Sequence, residues 1–143
     1  MTPTRPPPRA PKAERLAARL AARRRRGGRA RREGRAAELI AAFWLMAKGW
    51  RILGFRLKTP QAEIDLLARR GRILAVVEVK RRATLAQALE AVGYRQRLRL
   101  RAAALQLAAA RPDFAGLSVR LDLIALAPQR RPCHIEDAWA GMD

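Results

Sequence analysis

Acidic side chains are scarce in this chain: 12 Asp and Glu stand against 31 Lys and Arg, a net charge of +19 over 143 residues. So strong an imbalance points to a polyanionic partner, nucleic acid first and an anionic membrane surface second. There is one cysteine, Cys133, which excludes an intrachain disulfide and fits a reducing, cytoplasmic compartment. There is one histidine, His134, so a Cys/His zinc site cannot be built. Long apolar runs are missing too. The most apolar stretch, Leu39 to Ala47, is too short to span a bilayer, so no membrane insertion is expected. No apolar segment follows the basic N-terminal residues, so no secretory signal is expected either.

What is present divides unevenly. Five of the nine prolines fall within the first eleven residues and oppose regular structure there. Residues 1–35 carry thirteen basic and two acidic side chains, leaving the remainder near +8. Residues 1–32 therefore read as a basic, disordered tail attracted to polyanions. Leu16 and Leu20 allow a transient basic helix, which Arg23-Arg24-Arg25-Arg26-Gly27-Gly28 is expected to break. A solubilising tail without a specific partner is the plainer reading of the same residues.

Residues 33–143 read as one folded domain. Ala37, Ile40, Ala41, Trp44 and Leu45 keep helical spacing, and Gly49 ends that helix. Strands are expected at Trp50–Phe55, Glu63–Ala68 and Arg72–Lys80, the last two joined by a hairpin turn at Arg70-Gly71. A helix or helix pair follows over Leu85–Ala110, with Gly93 as a break and Pro112 as a stop. A fourth strand covers Val119–Leu126, and Cys133–Ile135 adds a short fifth. The order αβββαβ predicts an α/β fold, a mixed sheet flanked by helices.

Two acidic motifs interrupt the strands. Glu63-Ile64-Asp65 opens the second, and Glu78-Val79-Lys80 closes the third. An unpaired charge inside an apolar run is costly, so a carboxylate there needs a partner. Residues two apart on a strand share a face, which puts Glu78 beside Lys80, and a hairpin can bring Asp65 near Glu78. Two carboxylates so close share a proton unless a cation intervenes. Mg²⁺ takes oxygen ligands, keeps several waters and bridges carboxylates to phosphate. Lys80 would then orient a water and neutralise charge developing on phosphorus. The alternative is a solvated ion pair of Glu78 with Lys80 at a strand end, with Asp65 a plain hairpin residue.

The wider set of motifs carries a resemblance. Gly34-x-x-x-Glu38 precedes Lys48-Gly49-Trp50-Arg51-Ile52-Leu53, and Ala62-Glu63-Ile64-Asp65-Leu66-Leu67-Ala68 precedes Val76-Val77-Glu78-Val79-Lys80-Arg81-Arg82. Glu90-Ala91-Val92, Arg120-Leu121-Asp122-Leu123-Ile124 and His134-Ile135-Glu136-Asp137-Ala138-Trp139 follow. Over residues 34–140 this order resembles the bacterial YraN family, in the Holliday-junction-resolvase branch of the restriction-endonuclease-like superfamily. The resemblance implies an endonuclease-like αβββαβ core and a PD-(D/E)xK site. Asp65, Glu78 and Lys80 match the acidic, acidic and lysine positions of that motif, and Glu38 matches the helix glutamate of resolvase-like relatives. It implies Mg²⁺ or Mn²⁺ held by Asp65, Glu78, the Val79 carbonyl and Glu38, with Lys80 positioning water. It also implies a homodimer.

The chain departs from the family pattern at Ala62, where glycine is usual, at Gly54-Phe55, where Arg-Asn is usual, and at Gln96, where lysine is usual. None of these is a metal-site position. The nucleic-acid candidates are Arg81, Arg82, Arg95 and Arg97 beside the site and Arg23, Arg24, Arg25 and Arg26 in the tail. His134, Trp44, Trp50 and Trp139 read as packing residues, Cys133 as a small buried or edge residue, and Asp122 as a partner for Arg120. The expected function is Mg²⁺-dependent phosphodiester hydrolysis on structured or branched DNA. The alternative is a DNA- or RNA-binding protein with an idle nuclease fold.

Overall fold

A computed structural model describes residues 11–141. The elements are α1 (Lys12–Ala47), β1 (Arg51–Lys58), β2 (Glu63–Arg70), β3 (Ile73–Arg81), α2 (Leu85–Glu90), α3 (Tyr94–Ala110), β4 (Ser118–Leu126) and β5 (Cys133–Ile135), with a 3₁₀ turn at Pro112–Phe114. The five strands form one sheet in the order β1-β2-β3-β4-β5. The β3–β4 pair is parallel and every other pair antiparallel. The parallel pair requires a crossover, which α2 and α3 supply. This is the mixed α/β sheet flanked by helices that the pattern predicts.

Several boundaries differ from expectation. The helix does not break at Gly27-Gly28 but runs from Lys12 to Ala47. Arg and Ala are among the best helix formers, and two glycines, each worth about 1 kcal/mol against Ala, do not outweigh so long a run. Arg29 pairs with Glu33 one turn on, at 3.1 Å. The proline-rich start lies outside the described residues. The chain divides into two compact units between Arg35 and Ala36. The hairpin turn is Gly71-Arg72, one residue later than expected, because Gly71 takes the left-handed conformation (φ 59°).

The helix ends where expected. Gly49 is left-handed (φ 88°), its N–H donates to the Met46 carbonyl and the Trp50 N–H to the Leu45 carbonyl. That paired pattern satisfies carbonyls the helix leaves open. At the other crossover, Thr84 and Gln87 cap α2 reciprocally.

The core has one layer on each face of the sheet. Ala37, Ala41, Ala42 and Leu45 of α1 pack with Leu66, Ala68, Ala75, Val77 and Ile124. Leu100, Ala103 and Ala104 of α3 pack with Leu67, Leu74, Val76, Leu121 and Leu123 on the opposite face. A sheet covered on both sides explains why β3 and β4 read as near-continuous apolar runs.

Candidate metal centre

The site begins where β2 and β3 part. Their ladder runs from Arg70↔Ile73 to Leu66↔Val77 and stops. Beyond it the Val79 N–H donates to the Asp65 carboxylate at 2.9 Å. A side chain thus replaces the backbone acceptor that a continued ladder would supply. The β2 strand turns over at this point, since Ile64 packs in the α3 layer and Leu66 in the α1 layer. On β1, register slips between Ile52 and Gly54, and Arg56, facing this stretch of β2, is left-handed (φ 45°).

Glu78 follows on β3 and is buried, on the α3 face with Val76 and Leu74. Burial pushes its carboxyl up to about 9, and the hydrogen bond and charge of Asp65 add to the rise. Lys80 works in the opposite direction, while Glu38 reinforces it. The physical statement is that Asp65 and Glu78 cannot both ionise comfortably without a cation between them. Gln96 of α3 donates to Glu78 at 3.5 Å.

Glu38 reaches the same region from α1. It is buried, and Arg56 pairs with it through Nε. Desolvation raises the Glu38 carboxyl, with Asp65 and Glu63 adding to the rise, and Arg56 partly offsets this. Glu63 itself is exposed. Glu78 therefore lies within electrostatic range of Asp65, Lys80 and Glu38, and Glu38 within range of Asp65. Among the described residues, no three Asp, Glu, His or Cys side chains form a ready cage for a metal ion. Glu38 is held by Arg56, which leaves a two-carboxylate set. That set still suits Mg²⁺, which needs only one or two carboxylates with waters and phosphate.

Arg56 and Gln96 are the site residues that sequence reasoning missed. Arg56 carried no motif, and its reach to Glu38 depends on a left-handed backbone that no composition signals. Gln96 was noticed only as a departure from lysine.

The arginines fall into different settings. Arg81, Arg82 and Arg95 are exposed, as are Arg23 to Arg26 on the N-terminal stretch of α1. Arg97 is half-buried, donates to the Val92 carbonyl at 3.0 Å and lies over the rings of Tyr94 and Trp139. Asp122 is fully buried and grips Arg120 with both oxygens, at 2.7 and 2.9 Å. His134 meets it at 2.8 Å and the Asp137 N–H at 2.9 Å. Burial alone would raise the Asp122 carboxyl, but these bonds hold it below the usual range. This cluster is structural, as expected of both residues, and it ties β5 to β4.

A family model described as an uncharacterised protein family, UPF0102, matches residues 37–126. The chain belongs to the UPF0102 (YraN) family. The matched stretch contains Glu38, Asp65, Glu78 and Lys80. A UPF0102 protein of Caulobacter vibrioides (strain NA1000 / CB15N) is 64% identical over 119 residues, covering 83% of this chain and 95% of the relative. One from Caulobacter sp. (strain K31) is 61% identical over 121 residues, covering 85% and 87%. One from Chelativorans sp. (strain BNC1) is 51% identical over 113 residues, covering 79% and 91%. No helix among the described residues is long and apolar enough to cross a membrane.

Proposed function

We propose that this UPF0102 protein binds nucleic acid in the cytoplasm and hydrolyses phosphodiester bonds in structured or branched DNA, using Mg²⁺ or Mn²⁺. The observation that carries the reading is the buried Glu78 carboxyl facing Asp65, with Lys80 on the same strand face. Asp65 and Glu78 would hold the ion, with Glu38 joining directly or through water and the Val79 carbonyl as a further oxygen. A divalent ion held there would polarise a phosphoryl oxygen and make water more acidic. The Lys80 ammonium orients the attacking water and offsets the negative charge that grows on phosphorus. As the water oxygen bonds to phosphorus it gives up a proton to solvent, the P–O bond to the leaving sugar oxygen breaks, and that oxygen takes a proton from solvent. The exposed arginines hold the phosphate backbone.

A homodimer belongs to the same reading. Leu39, Ile40, Phe43 and Met46 leave an apolar strip of α1 exposed, which a second copy would cover.

The second reading, a binding module with an idle core, is favoured by one observation: Arg56 already occupies Glu38. The deciding experiment is a cleavage assay on branched, single-stranded and duplex DNA with Mg²⁺, Mn²⁺ or EDTA, beside Glu78→Ala. Metal-dependent cutting that Glu78→Ala abolishes is expected. Binding without cutting in any metal would overturn the enzyme reading in favour of the module. Deleting residues 1–32 in either case is expected to flatten the salt dependence of binding, which falls by about 0.9 log units per phosphate neutralised on duplex DNA.

A further inference from the structure

The C-terminal edge of the parallel β3–β4 pair carries a groove that the metal centre does not use. It has a volume of about 370 Å³ and is lined by Arg82, Thr84, Ala125, Arg130, Arg131 and Cys133, among others. No Asp or Glu lines it. Arg82, Arg130 and Arg131 are exposed, and among the described residues no carboxylate forms an ion pair with any of them. The Arg82 backbone N–H donates to the Leu126 carbonyl, and the Arg130 N–H to the Ala127 carbonyl, so both arginines sit on fixed backbone. The left-handed Gln129 (φ 57°) completes that turn.

Register links the groove to the candidate metal centre. Lys80 pairs with Ala125 on β4, and Ala125 pairs with Cys133 on β5. Paired residues share a face, so Lys80, Ala125 and Cys133 form one row across the α3 side of the sheet. Glu78 lies one step back on that face, paired with Leu123. Two strand spacings make the row about 10 Å long. Arg82, Arg130 and Arg131 line the same groove as Ala125 and Cys133, so guanidinium groups flank that row.

We propose that this groove is the track for the phosphodiester backbone of the bound nucleic-acid strand, carrying it from Lys80 across β4 to the β5 edge. The inference rests on the nucleic-acid reading above and adds the path of the strand. Arginine suits the task because its guanidinium forks onto phosphate and stays charged. The separation from the carboxylates also follows from charge: phosphates run over cations, and only the scissile one approaches the acidic pair.

The only cysteine of the chain is exposed in this groove, which supplies a direct probe. The rate of Cys133 alkylation is measured on the full chain in EDTA, where nothing is cut, with and without duplex DNA. DNA is expected to slow the reaction several-fold and to lose that effect in Arg82→Ala/Arg130→Ala/Arg131→Ala. In the same variant the log–log salt slope of DNA binding is expected to flatten by about 3. DNA that binds tightly while Cys133 reacts at its free rate, or a variant with an unchanged slope, overturns the track and leaves the nucleic-acid reading standing. Failure of DNA to bind at all removes that reading itself. Protection by vesicles of anionic lipid and not by DNA also overturns the proposal, assigning the groove to a membrane surface.

Discussion

The Val79 N–H donates to Asp65 at 2.9 Å, so the carboxylate that would hold a metal also closes the end of a β-ladder. Removing the side chain and removing its charge are therefore different experiments. Asp65→Ala leaves a half-buried N–H unpaired and is expected to cost about 1 to 3 kcal/mol of stability. Asp65→Asn keeps an acceptor for that N–H, so it should lose less stability than Asp65→Ala. Urea unfolding of both variants checks this. Equal losses would mean that the hydrogen bond is not what Asp65 contributes.

Glu78 sets a pH dependence with a definite sign. Its carboxyl sits near 9 when folded, against 4.5 for the free side chain. Between those values the folded state holds more proton than the unfolded one, so stability falls as pH rises. Melting temperatures measured from pH 5 to 9 without metal should decline, and Glu78→Gln should flatten the decline. Added Mg²⁺ should raise the melting temperature more at pH 8.5 than at pH 5.5, since at the higher pH there is less proton to displace. An identical Mg²⁺ effect in Glu78→Gln would remove Glu78 from the metal site.

Asp122 gives the opposite limb. Its folded carboxyl lies below the ordinary value of 3.8, so its contribution is present above that pH and is lost as pH falls through the folded value. Asp122→Asn leaves Arg120 beside a neutral amide with Glu136, at 3.6 Å, as its remaining ion-pair partner, and loosens His134. The expected cost at neutral pH is about 3 to 5 kcal/mol, typical of breaking a buried pair from one side. The variant's stability should also vary less in acid. Chemical denaturation at pH 3, 5 and 7 measures both effects.

Arg56 separates backbone from side chain. Both Arg56→Ala and Arg56→Gly lose the pairing with Glu38, but only Ala is strained at φ 45°. Glycine adopts that conformation freely, so Arg56→Gly should be the more stable of the two by about 1 kcal/mol. Urea midpoints decide it, and an Ala variant at least as stable as the Gly variant would show that the strand relaxes there.

The strand and helix order was legible because period-two runs, Gly49, Gly93 and Pro112 agree with one another. Hairpin geometry brings Asp65 toward Glu78, and the strand pattern gives Asp122 Arg120 as its partner, which the structure bears out. The partner of His134 was not legible, because it depends on β5 meeting β4 in the register Ile124↔His134. The first strand was expected to stop at Phe55 but runs to Lys58, through a bulge and a left-handed arginine that local propensity opposes. The continuity of α1 was missed for the reverse reason: two glycines weigh heavily in a local reading and little in a 36-residue helix. The groove was invisible because Arg82 and Arg130 lie nearly fifty residues apart and meet only through the crossover.

The bend in β1 has a second consequence. This strand is the outer edge of the sheet, eight residues long, and a straight edge of that length is a template on which another chain can add a strand. The slip between Ile52 and Gly54 and the reversed φ at Arg56 break its row of outward N–H and carbonyl groups into short pieces. Arg51 and Lys58 put a positive charge at each end. The distortion that brings Arg56 to Glu38 thus also guards the sheet against edge-to-edge aggregation.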